Sequence, residues 1–103
     1  TMCFVHTLLY ALEFKEKGYD VKLVIEGSAT KQVMDLAQEG VPFAPLYSKV
    51  KEAGLIDAVC IACSKKMGAY EAALAQGLPM EGSLNGHPSM EHYVAGGYTV
   101  MTF

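Results

Sequence analysis

The hydrophobic positions of the chain alternate between helical spacing and short continuous apolar runs. Over residues 3–17 apolar side chains recur at intervals of three and four, which predicts an amphipathic helix. The runs at residues 21–25 and 58–62 are mostly apolar and predict strands that are covered on both faces. Residues 98–103 contain β-branched side chains and predict a closing strand. The pattern therefore predicts helices that alternate with buried strands.

Glycines separate these segments. Five of them each follow a helix-like segment and precede an apolar one: Gly18, Gly40, Gly54, Gly77 and Gly97. Glycine is favoured just past a helix because it adopts the left-handed backbone there without steric cost. The repeated order predicts an α/β fold, a three-layer α/β/α domain with a mainly parallel sheet of flavodoxin-like or Rossmann-like character. Residues 1–103 are expected to form a single domain, since domains usually hold about 100–200 residues.

Weaker signals predict the remaining elements. Residues 42–46 contain two prolines and are expected to form a short strand or an edge strand. Residues 65–76 are expected to be helical, residues 79–88 to form a loop, and Ser89 to cap a last helix. Helices of this fold connect two strands, and the chain opens on a helix. We therefore expect the first strand to lie upstream of residue 1 and to be missing from this chain.

Charge and composition exclude several classes of partner. All eight basic residues are lysines and the formal net charge is −3, whereas nucleic-acid recognition depends on clustered cations and on arginine in particular. No apolar run reaches the roughly 18 residues of a membrane span, and no segment has the pattern of a secretory signal. We therefore predict a cytoplasmic protein without a nucleic-acid or membrane partner.

The cysteines carry the candidate chemistry. There are three, Cys3, Cys60 and Cys63, an odd count that does not suit a disulfide framework, and the C-x-x-C pair points to redox, sulfur or metal chemistry. Cys60 and Cys63 end a predicted strand and enter a helix, where the helix dipole lowers a thiol pKa, and Lys65 and Lys66 add positive charge. We predict a nucleophilic cysteine here, with a second thiol that can resolve a persulfide or a mixed disulfide.

Other reactive side chains are expected at the same edge of the sheet. The carboxyl ends of parallel strands share one edge, and ligands bind there. Glu26 follows the strand predicted at residues 21–25, His87 lies in the loop before the last helix, and Cys3 opens the first helix. Glu26 and His87 are therefore candidate site residues, and Cys3 is a candidate third thiol.

Two further interpretations of the cysteines remain open. Cys60 lies in an apolar strand, and buried cysteines are often inert parts of a core. Cys60, Cys63, His87 and His92 could instead bind zinc, although the spacing from Cys63 to His87 is longer than that of zinc fingers. No glycine-rich phosphate-binding motif occurs, so we predict no bound cofactor.

The sequence resembles the DsrE/DsrF-like family over nearly its whole length. Residues 57–68 look like the cysteine segment of that family, and residues 86–90, Gly-His-Pro-Ser-Met, look like the loop before its closing helix. The resemblance implies a three-layer α/β/α fold that assembles as trimers or hexamers. It also implies sulfur trafficking, in which a cysteine at a strand end carries a persulfide between a sulfur-donor protein and an acceptor protein. That cysteine matches Cys60 by position, and Cys63 is an additional thiol.

We therefore expect a homo-oligomeric sulfur carrier, or a sulfurtransferase-like protein. In this hypothesis Cys60 accepts sulfane sulfur, Cys63 modulates or resolves the product, and His87 and Glu26 position the site. The alternative is a non-catalytic oligomeric or zinc-binding module in which Cys60 and Cys63 are structural.

Overall fold

The structure, a computed structural model, describes residues 2–103. Its elements, in chain order, are α1 (Met2–Glu16), β1 (Leu23–Ile25), a 3₁₀ turn (Gly27–Ala29), α2 (Thr30–Asp35), α3 (Ala44–Glu52), β2 (Ile56–Cys60), α4 (Ile61–Lys66), α5 (Tyr70–Ala75), β3 (Met80–Glu81) and α6 (Met90–Ala95). Among the described residues, no helix is both long enough and apolar enough to cross a membrane.

The three strands form a parallel sheet in the order β1-β2-β3. Val24 of β1 pairs with Ala58 of β2, and on the other side Val59 of β2 pairs with Met80 of β3. Helices flank this sheet, as the predicted three-layer α/β/α fold requires. Strand β2 is central, and three of its five residues, including Val59, are apolar and buried next to its terminal Cys60.

Helix α1 confirms the first predicted helix and packs one face against the core. Its buried residues include Phe4, Val5 and Leu8, whereas Leu9 is 46% exposed. Leu8 is fully buried, and burying a leucine side chain contributes about 1.5–3 kcal/mol. Phe4, Leu8 and Ala11 are buried at intervals of four and three residues, so the helical spacing predicted for this segment is confirmed.

All five glycines predicted to end helical segments have a positive φ, including Gly18 at 91° and Gly77 at 70°. These are left-handed backbone angles, which an L side chain rarely adopts. The prediction of regular helix stops is confirmed. Ser89 also caps α6 as predicted, since its hydroxyl accepts a hydrogen bond from the backbone N–H of His92 at 3.4 Å.

Two predicted strands are wrong. Residues 42–46 contain no strand: Phe43 has a left-handed backbone (φ 68°), and Pro45 lies in the first turn of α3, where its missing N–H costs nothing. Residues 98–103 pair with no described strand, although Tyr98 donates a hydrogen bond to Asp20 and Phe103 packs on Tyr10. Side-chain contacts, and not strand pairing, therefore hold residues 98–103 against the rest of the fold.

Two other predictions require correction in detail. The helix expected at residues 65–76 is divided into α4 and α5, because the backbone at Gly68 is left-handed (φ 73°). The loop expected at residues 79–88 contains strand β3, whose pairing begins where the backbone N–H of Val59 donates to the carbonyl of Pro79 at 2.8 Å. A two-residue strand has too little pattern to be found from sequence.

A polar network inside the fold joins three helical segments. Tyr47 of α3 is buried and donates its hydroxyl to Gln76 Oε1 at 2.7 Å. Gln76 follows α5, and its Nε2 donates to the carbonyl of Val33 in α2 at 2.9 Å. Lys51 Nζ lies 3.3 Å from the same Oε1. One glutamine amide therefore ties α2, α3 and the end of α5 together.

We expect Tyr47→Phe to lower the free energy of unfolding by about 1 kcal/mol near neutral pH, because it removes a buried hydrogen bond. Burial raises the pKa of Tyr47 from 10.0 to about 12. The folded state thus favours the neutral phenol, so its contribution is complete below pH 10 and is lost as the pH rises through about 12. Urea unfolding across this range should show that the variant loses less stability than the wild type.

The matched control is Tyr10→Phe, at a side chain that is 43% exposed. It should leave both the free energy of unfolding and its pH dependence unchanged. An alkaline loss of stability that is equal in the wild type and in Tyr47→Phe would contradict the assignment to Tyr47.

Candidate functional site

The junction between β2 and α4 places the two cysteines of the C-x-x-C pair. Cys60 is the last residue of β2 and the N-cap of α4, and its Sγ accepts a hydrogen bond from the backbone N–H of Cys63 at 3.3 Å. Because residues three apart lie on the same face of a helix, Cys63 lies on the same side of the first turn of α4 as Cys60. Cys60 is fully buried, Cys63 is partly exposed, and both are free thiols.

A tight turn brings the histidine to this junction. Asn85 (φ 50°) and Gly86 (φ 92°) both have left-handed backbone, as the two central residues of a type I′ turn require. The flanking residues exchange backbone hydrogen bonds: the N–H of Leu84 donates to His87 at 2.9 Å, and the N–H of His87 donates to Leu84 at 2.8 Å. His87 is thus fixed at the end of the turn.

The turn packs directly against the start of α4. The backbone N–H of Ala62 donates to the carbonyl of Gly86 at 2.9 Å. A Cβ at Gly86 would lie 3.1 Å from the Cβ of Ala62, and one at Gly82 would lie 3.0 Å from Ile61 Cδ1. Both glycines therefore permit a close approach that a larger residue would prevent, and this approach sets the position of His87.

Cys60, Cys63 and His87 meet in what we name the Cys–His cluster. His87 Nδ1 lies 3.1 Å from Cys60 Sγ and 3.7 Å from Cys63 Sγ, and the three atoms all lie within 4.8 Å of one another. The Cys60 thiol also lies 3.6 Å from the carbonyl oxygen of Gly86, to which it can donate. One imidazole nitrogen is therefore within reach of the protons of two thiols.

The lowered thiol pKa predicted from the helix start is wrong for Cys60. The pKa of Cys60 is raised from 9.0 to about 11, chiefly by burial and then by the hydrogen-bonding contact with the Cys63 thiol and by the charges of Cys63 and Glu26. The backbone N–H of Cys63 lowers the pKa, but burial outweighs it. Lys65 is exposed, and its Nζ lies over the ring of Tyr70, 5.0 Å from the centroid.

Glu26 and Cys3 do not belong to the Cys–His cluster. Glu26 follows the carboxyl end of β1, beside the end of β2 that carries Cys60, and therefore lies on the predicted edge of the sheet. Glu26 and Cys3 are both exposed and line a groove of about 770 Å³ beside the outer edge of β1. This groove also borders residues 98–103, and no member of the Cys–His cluster lines it. Among the described residues, no hydrogen bond joins Glu26 to the cluster, and Glu26 acts on Cys60 only through its charge.

His92, the fourth ligand of the zinc interpretation, does not join the cluster. It lies on α6, where its ring packs edge-on against Tyr93 with 5.3 Å between centroids. Tyr93 in turn donates its hydroxyl to Asp57 of β2 at 2.7 Å, which anchors α6 to the central strand. His92 is exposed on this helix.

Sequence reasoning missed one residue that supports the site. Thr30 is fully buried, and its hydroxyl lies 2.9 Å from the carbonyl oxygen of Gly27 and 3.3 Å from that of Cys63. It therefore connects the turn after β1 to the first turn of α4. No local pattern in the sequence points to the contact between Thr30 and Cys63.

Comparison with known proteins identifies the family. The DsrE/DsrF-like family matches residues 6–103, which include the whole Cys–His cluster. The chain belongs to the DsrE/DsrF-like family. The resemblance found in the cysteine segment and in the loop before the closing helix is thereby confirmed.

Two archaeal relatives share parts of this DsrE/DsrF-like sequence. The uncharacterized protein MJ0733 of Methanocaldococcus jannaschii is 38% identical over 97 residues, which cover 94% of this chain and 77% of the relative. An uncharacterized protein of Archaeoglobus fulgidus is 55% identical over 29 residues, which cover 28% of this chain and 48% of that protein. No solved structure matches the chain.

We expect Gly86→Ala to separate His87 from the two cysteines. The added Cβ would be held at φ 92° and would meet Ala62 at 3.1 Å, so the turn must move away from α4. The NMR signals of Cys60, Cys63 and His87 should shift together in a heteronuclear spectrum of the variant.

Gly77→Ala is the matched control, because Gly77 has φ 70° but no atom within 4 Å of an added Cβ. Each variant should lose about 1–2 kcal/mol of stability through left-handed backbone strain. Only Gly86→Ala should disturb the cluster signals. Unchanged signals in Gly86→Ala would show that the contact with Ala62 does not position His87.

Proposed function

We propose that this DsrE/DsrF-like protein carries sulfane sulfur as a persulfide on the Cys–His cluster. The observation that carries the proposal is the approach of one imidazole nitrogen to two free thiols, at 3.1 Å and 3.7 Å. A thiolate is the nucleophile in sulfur transfer, and an adjacent base forms it from the thiol. Membership of the family supports a sulfur-relay role.

Burial favours Cys63 as the first acceptor, ahead of Cys60. A donor must reach the accepting sulfur, and Cys63 is partly exposed whereas Cys60 is fully buried. The raised pKa of Cys60 also keeps its thiol protonated near neutral pH. The sequence-based hypothesis gave Cys60 this role, and we now assign Cys60 the second step.

The proposed transfer balances without an external oxidant. Cys63 gives its proton to His87 Nδ1, and its thiolate attacks the terminal sulfur of a donor persulfide. A new S–S bond forms on Cys63 as the donor S–S bond breaks, and the donor leaves as a thiolate. Cys60 then attacks the same terminal sulfur and gives its proton to the departing Cys63 sulfur, which moves the persulfide to Cys60 and regenerates the Cys63 thiol. His87 returns the first proton to the donor thiolate. Reversal of these steps delivers the sulfur to an acceptor protein.

This order gives each residue of the cluster a separate role. Cys63 exchanges sulfur with partners, Cys60 shields the persulfide from solvent, and His87 holds the transferred proton. The negative charge of Glu26 raises the pKa of Cys60 and so disfavours the Cys60 thiolate. We therefore do not assign Glu26 a role in activating Cys60, and it remains a candidate for positioning the site. Persistent free thiols suit a reducing compartment, so we propose a cytoplasmic setting.

We also propose that the protein forms a homo-oligomer, a trimer or a hexamer. Exposed large apolar side chains support this proposal: Leu9 and Tyr10 on α1, and Met101 and Phe103 at the carboxyl end. Grouped apolar surface of this kind often marks a contact between subunits. Sedimentation equilibrium should give three or six times the chain mass of 11.1 kDa, and a monomer at all concentrations would contradict the proposal.

The persulfide proposal is tested by labelling after incubation of the reduced protein with glutathione persulfide. An electrophilic tag and mass spectrometry should find one added sulfur on the Cys60–Cys63 pair of the wild type. Cys63→Ser should slow uptake at this pair by about tenfold or more, because the thiol of Cys60 that remains in the pair is buried and protonated. Cys60→Ser should accept sulfur on Cys63 but lose it faster to added thiol.

Cys3→Ser is the matched control, since Cys3 is exposed and lies outside the cluster. It should retain the uptake of the wild type. Absence of added sulfur on the wild type would overturn the proposed function. Uptake at full rate by Cys63→Ser would overturn the order of the two steps.

A further inference from the structure

We propose that the Cys–His cluster also binds one Zn²⁺ ion through Cys60 Sγ, Cys63 Sγ and His87 Nδ1, with solvent at the fourth position. This site does not depend on the proposed sulfur transfer, because zinc needs only the three ligand atoms in place. The sequence suggested zinc with His92 as a fourth ligand, whereas the structure assembles three ligands and leaves His92 on α6.

The ligand separations fit a tetrahedral ion. Zn–S bonds of about 2.3 Å and Zn–N bonds of about 2.0–2.1 Å place tetrahedral ligands about 3.6 Å apart for S···N and about 3.8 Å apart for S···S. His87 Nδ1 lies 3.7 Å from Cys63 Sγ and 3.1 Å from Cys60 Sγ, and all separations are at most 4.8 Å. Shifts of about 1 Å or less would complete the geometry.

The chemistry of the three donors favours zinc over Mg²⁺ and Ca²⁺. Thiolate and imidazole ligands suit Zn²⁺, whereas Mg²⁺ and Ca²⁺ require oxygen ligands. Among the described residues, no carboxylate belongs to the cluster. The thiols give their protons to solvent as zinc binds, so the reaction needs no oxidant or reductant.

The fold holds the three donors before any ion binds. The backbone N–H of Cys63 donates to Cys60 Sγ at 3.3 Å, a bond that stabilises a metal-bound thiolate. His87 is held by the turn that packs on Ala62. His87 is exposed and Cys63 is partly exposed, so the fourth position faces solvent, as in sites that exchange a ligand.

Bound zinc would occupy both sulfurs and, if the persulfide proposal holds, would block sulfur uptake.

The test is titration of reduced, metal-free protein with Zn²⁺ against a chromophoric chelator, and with Co²⁺ as a spectroscopic probe. We expect one equivalent of zinc, and a thiolate-to-cobalt charge-transfer band with the visible bands of tetrahedral cobalt. Cys63→Ser and His87→Ala should each weaken zinc binding by about 100-fold, since each removes a direct ligand. Both side chains reach solvent, so circular dichroism should show folded variants.

Cys3→Ser and His92→Ala are the matched controls, because each removes a thiol or an imidazole outside the cluster. Both should bind zinc as the wild type does. Absence of stoichiometric zinc, or binding that is unchanged in His87→Ala, would overturn the site. Zinc binding without persulfide labelling would defeat only the proposed function, and labelling without zinc binding would defeat only this inference.

Discussion

The pairing of β2 on both of its edges is the constraint on which the sheet and the site depend. Val59 pairs with Ile25 on one side and with Met80 on the other, so the strand is fixed before its last residue, Cys60, begins α4. Pairing with β3 also determines where the chain continues into the turn that carries His87. A shift of β3 by one residue would turn its side chains to the opposite face and move that turn. The register of the sheet therefore places the turn beside α4, where its contact with Ala62 sets the distance between His87 and the sulfurs.

The cluster combines a buried thiol with a reachable one, and this difference decides its chemistry. The end of β2 places Cys60 in the core, where loss of solvation raises its pKa more than the N–H of Cys63 lowers it. Three residues later Cys63 has left the core and is partly exposed. A single turn of helix thus separates a protected sulfur from one that a partner can approach. The same geometry suits a shielded persulfide and a metal site that is open on one side.

Local sequence predicted those features that local backbone physics controls. The glycine stops were predictable, since a left-handed residue at a helix end depends on its neighbours alone. The Asn85-Gly86 turn is of the same kind. The strands expected at residues 42–46 and 98–103 were wrong because a strand exists only with a pairing partner, and sequence composition does not reveal whether one is present. Strand β3 was missed because its two residues form a strand only through pairing with β2, and the sequence of these residues does not show that pairing.

The sequence by itself determined that the chain is an α/β protein with two thiols one helical turn apart, because three-residue spacing at a strand end is a local relation. It also singled out His87. Only the tertiary structure decided that His87 reaches both sulfurs while His92, Glu26 and Cys3 lie outside the cluster. It also reversed the expected pKa of Cys60. The physical reason is that burial and contacts between distant segments arise from the packing of the whole chain, which no local pattern encodes.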